Sequence, residues 1–149
     1  MVRPIDIPVH TNNLLLLLAR LESASIDLSK ATRLTDVALL SGRSGAQWVV
    51  RALRTITPDH RNLQRIILRV PWITHFYPTL RRSEPVNIRH AIGETTYRQW
   101  LELDRLLAQL YESHSIRPKV QDQYAEGVSS CVETLLPEVT KRGIVGLVD

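Results

Sequence analysis

Residues 34–40 read LTDVALL and residues 63–69 read LQRIILR, two stretches that share the apolar order L-x-x-L-x-L. The apolar positions are Leu34, Val37, Leu39, Leu63, Ile66 and Leu68, with an offset of 29 residues between the copies. Successive side chains of a strand point to opposite faces, so the last two apolar positions of each copy face inward and the leading leucine turns the chain into the strand. The repeat predicts two equivalent strands, from Leu34 to Leu40 and from Leu63 to Val70.

A helix is predicted between these strands. Ser44, followed three residues later by Gln47, forms a capping-box pattern, and apolar residues then recur at helical spacing as far as Ile56. Pro58 prevents the helix from continuing. Strand, helix and strand at this period predict an α/β fold made of a few degenerate β/α units, with a short, mostly parallel sheet and the helices packed on one side.

The segments before and after this unit are less regular. Ile5 to Val9 is predicted to be an edge strand, and the leucine-rich run from Asn12 to Glu22, which lacks glycine and proline, is predicted to be a helix. Residues 71–87 contain three prolines and several aromatic residues, a composition that predicts a long loop.

The last third of the chain alternates helical and strand patterns. A helix capped by Thr96 is the clearest, a third strand is expected from Ile116 to Val120, and a last short strand from Ile144 to Val148. Between these strands, the apolar face from Val128 to Leu136 predicts a helix that Pro137 kinks or ends.

At the L-x-x-L-x-L positions the chain resembles leucine-rich repeats of the long, helix-containing intracellular type. The phrases LSKATRLTDVALL (28–40), ALRTITPDHRNLQRI (52–66) and YRQWLELDRLLAQLYES (97–113) are also similar to leucine-rich regions of uncharacterised fungal proteins, including those that follow F-box domains. The resemblance implies a non-enzymatic protein-interaction module. It departs from the pattern at Gly42 and Pro71, where such repeats place asparagine or cysteine.

This resemblance also implies a binding surface on the outward side of the two strands, as solenoid proteins use. The outward residues are Asp36, Ala38, Leu40, Arg65, Ile67 and Arg69. The whole chain, residues 1–149, is expected to be one domain, which is either complete or a fragment of a longer solenoid. Its ends lack polar capping units, so self-association through exposed ends is a second expectation.

Charge is unevenly distributed along the chain. The region from Arg43 to Arg82 contains eight arginines and one aspartate, a net charge of +7, whereas residues 94–149 contain six basic and nine acidic residues. This asymmetry favours an acidic protein partner, and it leaves open an RNA- or DNA-binding function for the Arg43 to Arg82 region.

The amino-acid composition restricts the cellular compartments in which we expect the protein. Cys131 is the only cysteine, so an internal disulfide is excluded, and the longest apolar stretch, residues 14–19, is too short to span a membrane. We therefore expect a cytoplasmic or nuclear protein without membrane attachment.

The sequence contains no recognisable motif for chemistry. None of the five histidines has metal-ligand spacing, and no G-x-S-x-G, Walker or G-x-G-x-x-G pattern occurs, so we expect no metal, no cofactor and no catalytic residue. A small hydrolase with a site assembled in space is the remaining alternative. It predicts that His60 or His75 lies within hydrogen-bond distance of a serine or threonine and a carboxylate.

Overall fold

The computed structural model describes residues 5–16, 26–40, 46–69, 93–121, 133 and 135–148. These residues form seven strands and three helices. In chain order they are β1 (Ile5–Asp6), β2 (Asn13–Leu16), β3 (Ile26–Asp27), β4 (Asp36–Leu40), α1 (Gln47–Leu53), β5 (Arg65–Arg69), α2 (Glu94–His114), β6 (Arg117–Gln121), α3 (Pro137–Lys141) and β7 (Gly146–Val148).

The main sheet has five strands whose spatial order, β2-β4-β5-β6-β7, follows their order in the chain. Every neighbouring pair is parallel, so each connection must cross back over the sheet. Crossovers of one hand that always step in the same direction place their helices on the same side. The α/β fold with a short parallel sheet is confirmed.

The two strands predicted from the repeat are neighbours in the register that the 29-residue offset requires. Val37 pairs with Ile66, and Leu39 pairs with Leu68. All four side chains are buried, as are the leading residues of the two copies, Leu34 and Leu63. The same positions on both strands therefore face one core.

That core lies between the sheet and the helices. Two tryptophans on different helices, Trp48 of α1 and Trp100 of α2, are almost fully buried there with the inward residues of β4 and β5. Burial of large aromatic and aliphatic side chains is the main stabilising contribution in a sheet covered on one face.

The prediction of a helix from Asn12 to Glu22 is wrong for the residues of this range that the structure describes. Asn13–Leu16 is β2, and it pairs with β4 so that Leu14 lies opposite Val37 and Leu16 opposite Leu39. A leucine run without polar interruption fits a strand in a parallel sheet as well as a buried helix, and pairing with β4 decides between them. Residues 17–25 lie outside the described residues.

Helix starts also differ from the predictions. α1 begins at Gln47 with Ala46 as its N-cap, so the helix does not start from Ser44, which lies outside the described residues. α2 begins at Glu94 after Gly93, whose φ of 88° is the left-handed conformation that glycine tolerates, rather than at Thr96.

The remaining strand predictions are confirmed with shifted ends, whereas most of the helix predicted from Val128 to Leu136 lies outside the described residues. The third and last strands are Arg117–Gln121 and Gly146–Val148. The opening strand is shorter, Ile5–Asp6, and it pairs with β3, which was not predicted. Glu133 and Leu135 are helical and Leu136 is not, so helical structure is interrupted just before Pro137, as predicted. Pro137 then begins α3, since proline at the first helical position loses no intrahelical hydrogen bond.

Several sequence features fall outside the described residues: the aromatic segment 71–87, the positions Gly42 and Pro71, and Cys131. Within the described part of the chain, no helix is both long and apolar enough to cross a membrane.

Candidate interaction face

The outer face of the sheet is the side opposite the helices. The outward residues predicted from the sequence occupy adjacent positions there: Asp36 pairs with Arg65, Ala38 with Ile67, and Leu40 with Arg69. Arg65 is exposed, and Asp36, Ala38, Ile67 and Arg69 are partly exposed, whereas the alternate residues of both strands are buried. Leu40 is assigned to the outer face from its pairing with Arg69 in the sheet.

β6 extends this face with three residues that the sequence prediction did not include. Arg117, Lys119 and Gln121 pair with Arg65, Ile67 and Arg69. β5 and β6 show the same alternation of buried and partly exposed residues, so the two strands present matching surfaces. We define the outer face as the outward positions of β4, β5 and β6: Asp36, Ala38, Leu40, Arg65, Ile67, Arg69, Arg117, Lys119 and Gln121. The signal that could have identified the β6 residues is the strand pattern at 116–120.

One ion pair lies on the outer face. Nε of Arg65 donates to Oδ1 of Asp36 at 2.8 Å, with 54% and 27% of the respective side chains exposed. The hydrogen bond from Arg65 holds the pKa of Asp36 below its ordinary value, and a weaker bond from Thr35 acts in the same direction. Asp36 therefore offsets the charge of Arg65.

The other three cations of the outer face have different surroundings. Nε of Arg69 donates to Oε1 of Gln121 at 3.1 Å, and the guanidinium of Arg117 lies 5.6 Å from the ring centre of Tyr111, a cation–π distance. Among the described residues, no carboxylate forms an ion pair with Arg69, Arg117 or Lys119. Within the described part of the chain, Asp36 is thus the one carboxylate that is paired with a cation of the outer face.

The basic region from Arg43 to Arg82 does not form one surface in its described part. Arg51 and Arg54 belong to α1 and the residue after it, on the helical side, whereas Arg65 and Arg69 lie on the outer face. Arg54 forms an ion pair with Glu102 of α2. The sheet thus separates cations that are close in sequence.

A second cationic surface occurs on the helical side. A cleft of about 350 Å³ is lined by Arg54, Leu101, Glu102, Arg105, Leu106, Gln109 and Arg98. Arg54 pairs with Glu102, and Arg98 pairs with Glu94 one helical turn away. Arg105 is the lining arginine without a carboxylate within ion-pair distance among the described residues.

His60 is fully buried at the turn before β5. Its Nδ1 accepts a hydrogen bond from the backbone N–H of Thr57 at 3.0 Å, so Nε2 carries the proton that is donated to the carbonyl oxygen of Leu28 at 2.7 Å. Both ring nitrogens thus bond to the main chain. The hydroxyl of Thr57 also lies 3.2 Å from Nδ1. The threonine part of the hydrolase prediction is therefore met at His60, but no carboxylate of the described residues bonds to its imidazole. The imidazole connects two turns of the chain through their main-chain atoms.

No group of three or more potential metal-ligating side chains occurs among the residues that the structure describes. His75 lies outside them.

Comparison with known proteins gives no relative: no family model, no curated protein and no solved structure matches this chain.

Proposed function

We propose that this chain is a non-enzymatic protein-interaction module built from leucine-rich-repeat-like β/α units, and that it binds its partner through the outer face. The observation that carries this proposal is the ladder of outward residues across three adjacent parallel strands, with one side of the sheet buried under helices and the other partly exposed. Solenoid proteins use such a surface for recognition because strands stacked in chain order present equivalent positions side by side.

The composition of the outer face supports protein binding. Ala38 and Ile67 form an apolar centre between charged and amide side chains. Apolar residues surrounded by polar ones are typical of protein interfaces, where the centre is desolvated and the rim remains hydrated.

A nucleic-acid-binding function is the second candidate, and the cations of β5 and β6 are the observation in its favour. Two observations weigh against it. The described arginines of the Arg43 to Arg82 region lie on both sides of the sheet. No outward residue of the described strands is aromatic, so these strands supply no side chain on which a base could stack.

The test is a pull-down from nuclease-treated cell extract with three proteins. The wild type is compared with Arg65→Glu plus Arg69→Glu on the outer face, and with Arg51→Glu plus Arg105→Glu on the helical side as a control of equal charge change. We expect the wild type and the helical-side variant to retain the same protein and the outer-face variant to lose it.

Capture of that protein by all three would contradict the proposal, as would capture that depends only on the helical-side pair. Loss of all capture after nuclease treatment would instead favour nucleic-acid binding. Because Arg65→Glu brings a second carboxylate next to Asp36, Ile67→Lys serves as a further outer-face variant that leaves this ion pair intact.

A further inference from the structure

The charges on the outer face are unevenly placed across its strands. β4 contributes the carboxylate Asp36, whereas β5 and β6 together contribute four cations, Arg65, Arg69, Arg117 and Lys119. Arg65 is paired to Asp36, whereas Arg69, Arg117 and Lys119 form no ion pair with a carboxylate of the described residues. The β6 side of the outer face is therefore an anion-attracting surface.

The spacing of these cations matches an extended chain. Outward positions along one strand are roughly 6–7 Å apart, and neighbouring strands are roughly 4.8 Å apart. Arg117 and Lys119 are successive outward positions on β6, and Arg69 lies beside the next one, Gln121. An extended segment laid along β6 presents alternate side chains at the same interval, so carboxylates on alternate residues meet these cations in turn.

The apolar centre of the outer face favours an acidic polypeptide over a polyphosphate as the bound partner. Ile67 is the immediate neighbour of Lys119 in the sheet, and it is only partly buried. Apolar side chains of a polypeptide can cover Ile67 and Ala38, whereas a phosphate backbone has no group that would do so. Covering apolar surface is favourable, and leaving it beside bound phosphates is not.

We propose that the outer face binds an extended acidic segment of a partner protein, with carboxylates on alternate residues contacting Arg117, Lys119 and Arg69. This inference rests on the proposed function and adds the chemistry and the position of the partner. The cleft between α1 and α2 is the competing cationic surface, and two of its three arginines are already paired with glutamates.

Binding is measured by fluorescence anisotropy with a labelled peptide of alternating glutamate and alanine. The peptide is about ten residues long, so that in an extended conformation it covers the whole length of β6. The matched peptide has glutamine in place of glutamate, and a single-stranded oligothymidylate of equal charge is the third probe. We expect the full-length protein to bind the glutamate peptide most tightly, with an affinity that falls as salt is raised.

Two double variants locate the site. Arg69→Glu plus Lys119→Glu should weaken binding of the glutamate peptide by about tenfold or more, because two attractions become repulsions. Arg98→Glu plus Arg105→Glu in the cleft should change it by less than about threefold, since that surface is already largely neutralised. If the glutamate variant fails to fold, Arg69→Gln plus Lys119→Gln replaces it. Because the glutamine variant removes charge without adding repulsion, we expect it to weaken binding of the glutamate peptide less than about tenfold but more than the cleft variant does.

Equal binding of the glutamate and glutamine peptides, a larger loss in the cleft variant, or tighter binding of the oligothymidylate would each overturn the inference. These failures are separate from failure of the proposed function. A captured protein that still depends on Ile67, but is not displaced by the glutamate peptide, would contradict the acidic segment alone. A captured protein that is insensitive to every outer-face variant would contradict both.

Discussion

Nε of Arg65 and Oδ1 of Asp36 are 2.8 Å apart in space and 29 residues apart in sequence, which is the offset between the two copies of the L-x-x-L-x-L pattern. The ion pair therefore joins equivalent positions of successive units. The 29-residue offset of the repeat thus places Asp36 beside Arg65 on the outer face.

The first prediction concerns this ion pair. In a double-mutant cycle with Asp36→Ala and Arg65→Ala, we expect a small favourable coupling at low ionic strength that disappears at about 1 M salt, because both groups are reached by solvent. Chemical denaturation of the four proteins measures it. Asp36 titrates with a lowered pKa, so the contribution is complete above the pKa of an unfolded aspartate and is lost as pH falls through the lower native value. A coupling that persists at high salt or grows in acid would contradict this prediction.

The imidazole of His60 bridges the turns that precede β4 and β5, since its two ring nitrogens bond to the main chain at Leu28 and Thr57. His60→Ala removes a fully buried side chain and leaves the Thr57 N–H without its acceptor on the imidazole, while the Leu28 carbonyl keeps the hydrogen bond from the backbone N–H of Ala31. We expect a loss of about 2–4 kcal/mol in the free energy of unfolding. Exposed His10 is the control, and His10→Ala should change stability by less than about 0.5 kcal/mol. Equal effects of the two substitutions would show that the bridge contributes nothing.

Asp104 gives the third prediction. Its buried carboxylate accepts the backbone N–H groups of Glu138 and Val139 at 2.9 and 3.0 Å, so a residue of α2 caps the start of α3. Burial raises the pKa of Asp104, and the two backbone hydrogen bonds oppose that shift only in part.

The sign of the pH dependence follows from that raised pKa. Between the unfolded and native pKa values the native state binds more protons, so the stabilising effect of protonation is complete below the unfolded value and is lost as pH rises through the native value. Relative to Asp104→Asn, the wild type should therefore lose stability across this range. Parallel denaturation series of the two proteins measure the difference. A stability difference between wild type and Asp104→Asn that is independent of pH, or that rises with pH, would contradict the raised pKa of Asp104.

The fourth prediction concerns the end of α2. Ser115 occupies the left-handed region at φ 57°, and its N–H bonds to the carbonyl of Tyr111. Ser115→Gly should stabilise the protein by about 0.5–1 kcal/mol, because glycine adopts this conformation without steric cost. The reverse change at Gly143, φ 70°, is the control: Gly143→Ala should destabilise by about 1 kcal/mol. Thermal denaturation measures both, and destabilisation by Ser115→Gly would contradict the prediction.

The part of the fold that could be predicted from sequence is the part in which periodicity is unambiguous. β4 and β5 carry alternating buried and outward residues, so the register and the six outward positions followed from the pattern alone. α1 and α2 were predicted from helical spacing. Their first residues were not, since Ala46 and Gly93 provide no side-chain oxygen at the N-cap.

The part that could not be predicted depends on tertiary pairing. The leucines of β2 have no period that separates strand from helix, and pairing with β4 makes them a strand. β6 contains Pro118, which has no backbone N–H to donate, at a position where the other copies have Ile66 and Val37. That substitution concealed the equivalence of β6, and with it Arg117 and Lys119 of the outer face.

The most direct test of a partner on the outer face is site-specific photo-crosslinking. A photoreactive phenylalanine analogue replaces Ile67 at the centre of the outer face or, as the control, Gln109 on the exposed side of α2. Both proteins are irradiated in nuclease-treated extract. We predict that a discrete protein is crosslinked from position 67 and not from position 109, and that Arg69→Glu plus Lys119→Glu abolishes the crosslink. The same protein crosslinked equally from both positions, or only from position 109, would contradict the outer face as the binding surface.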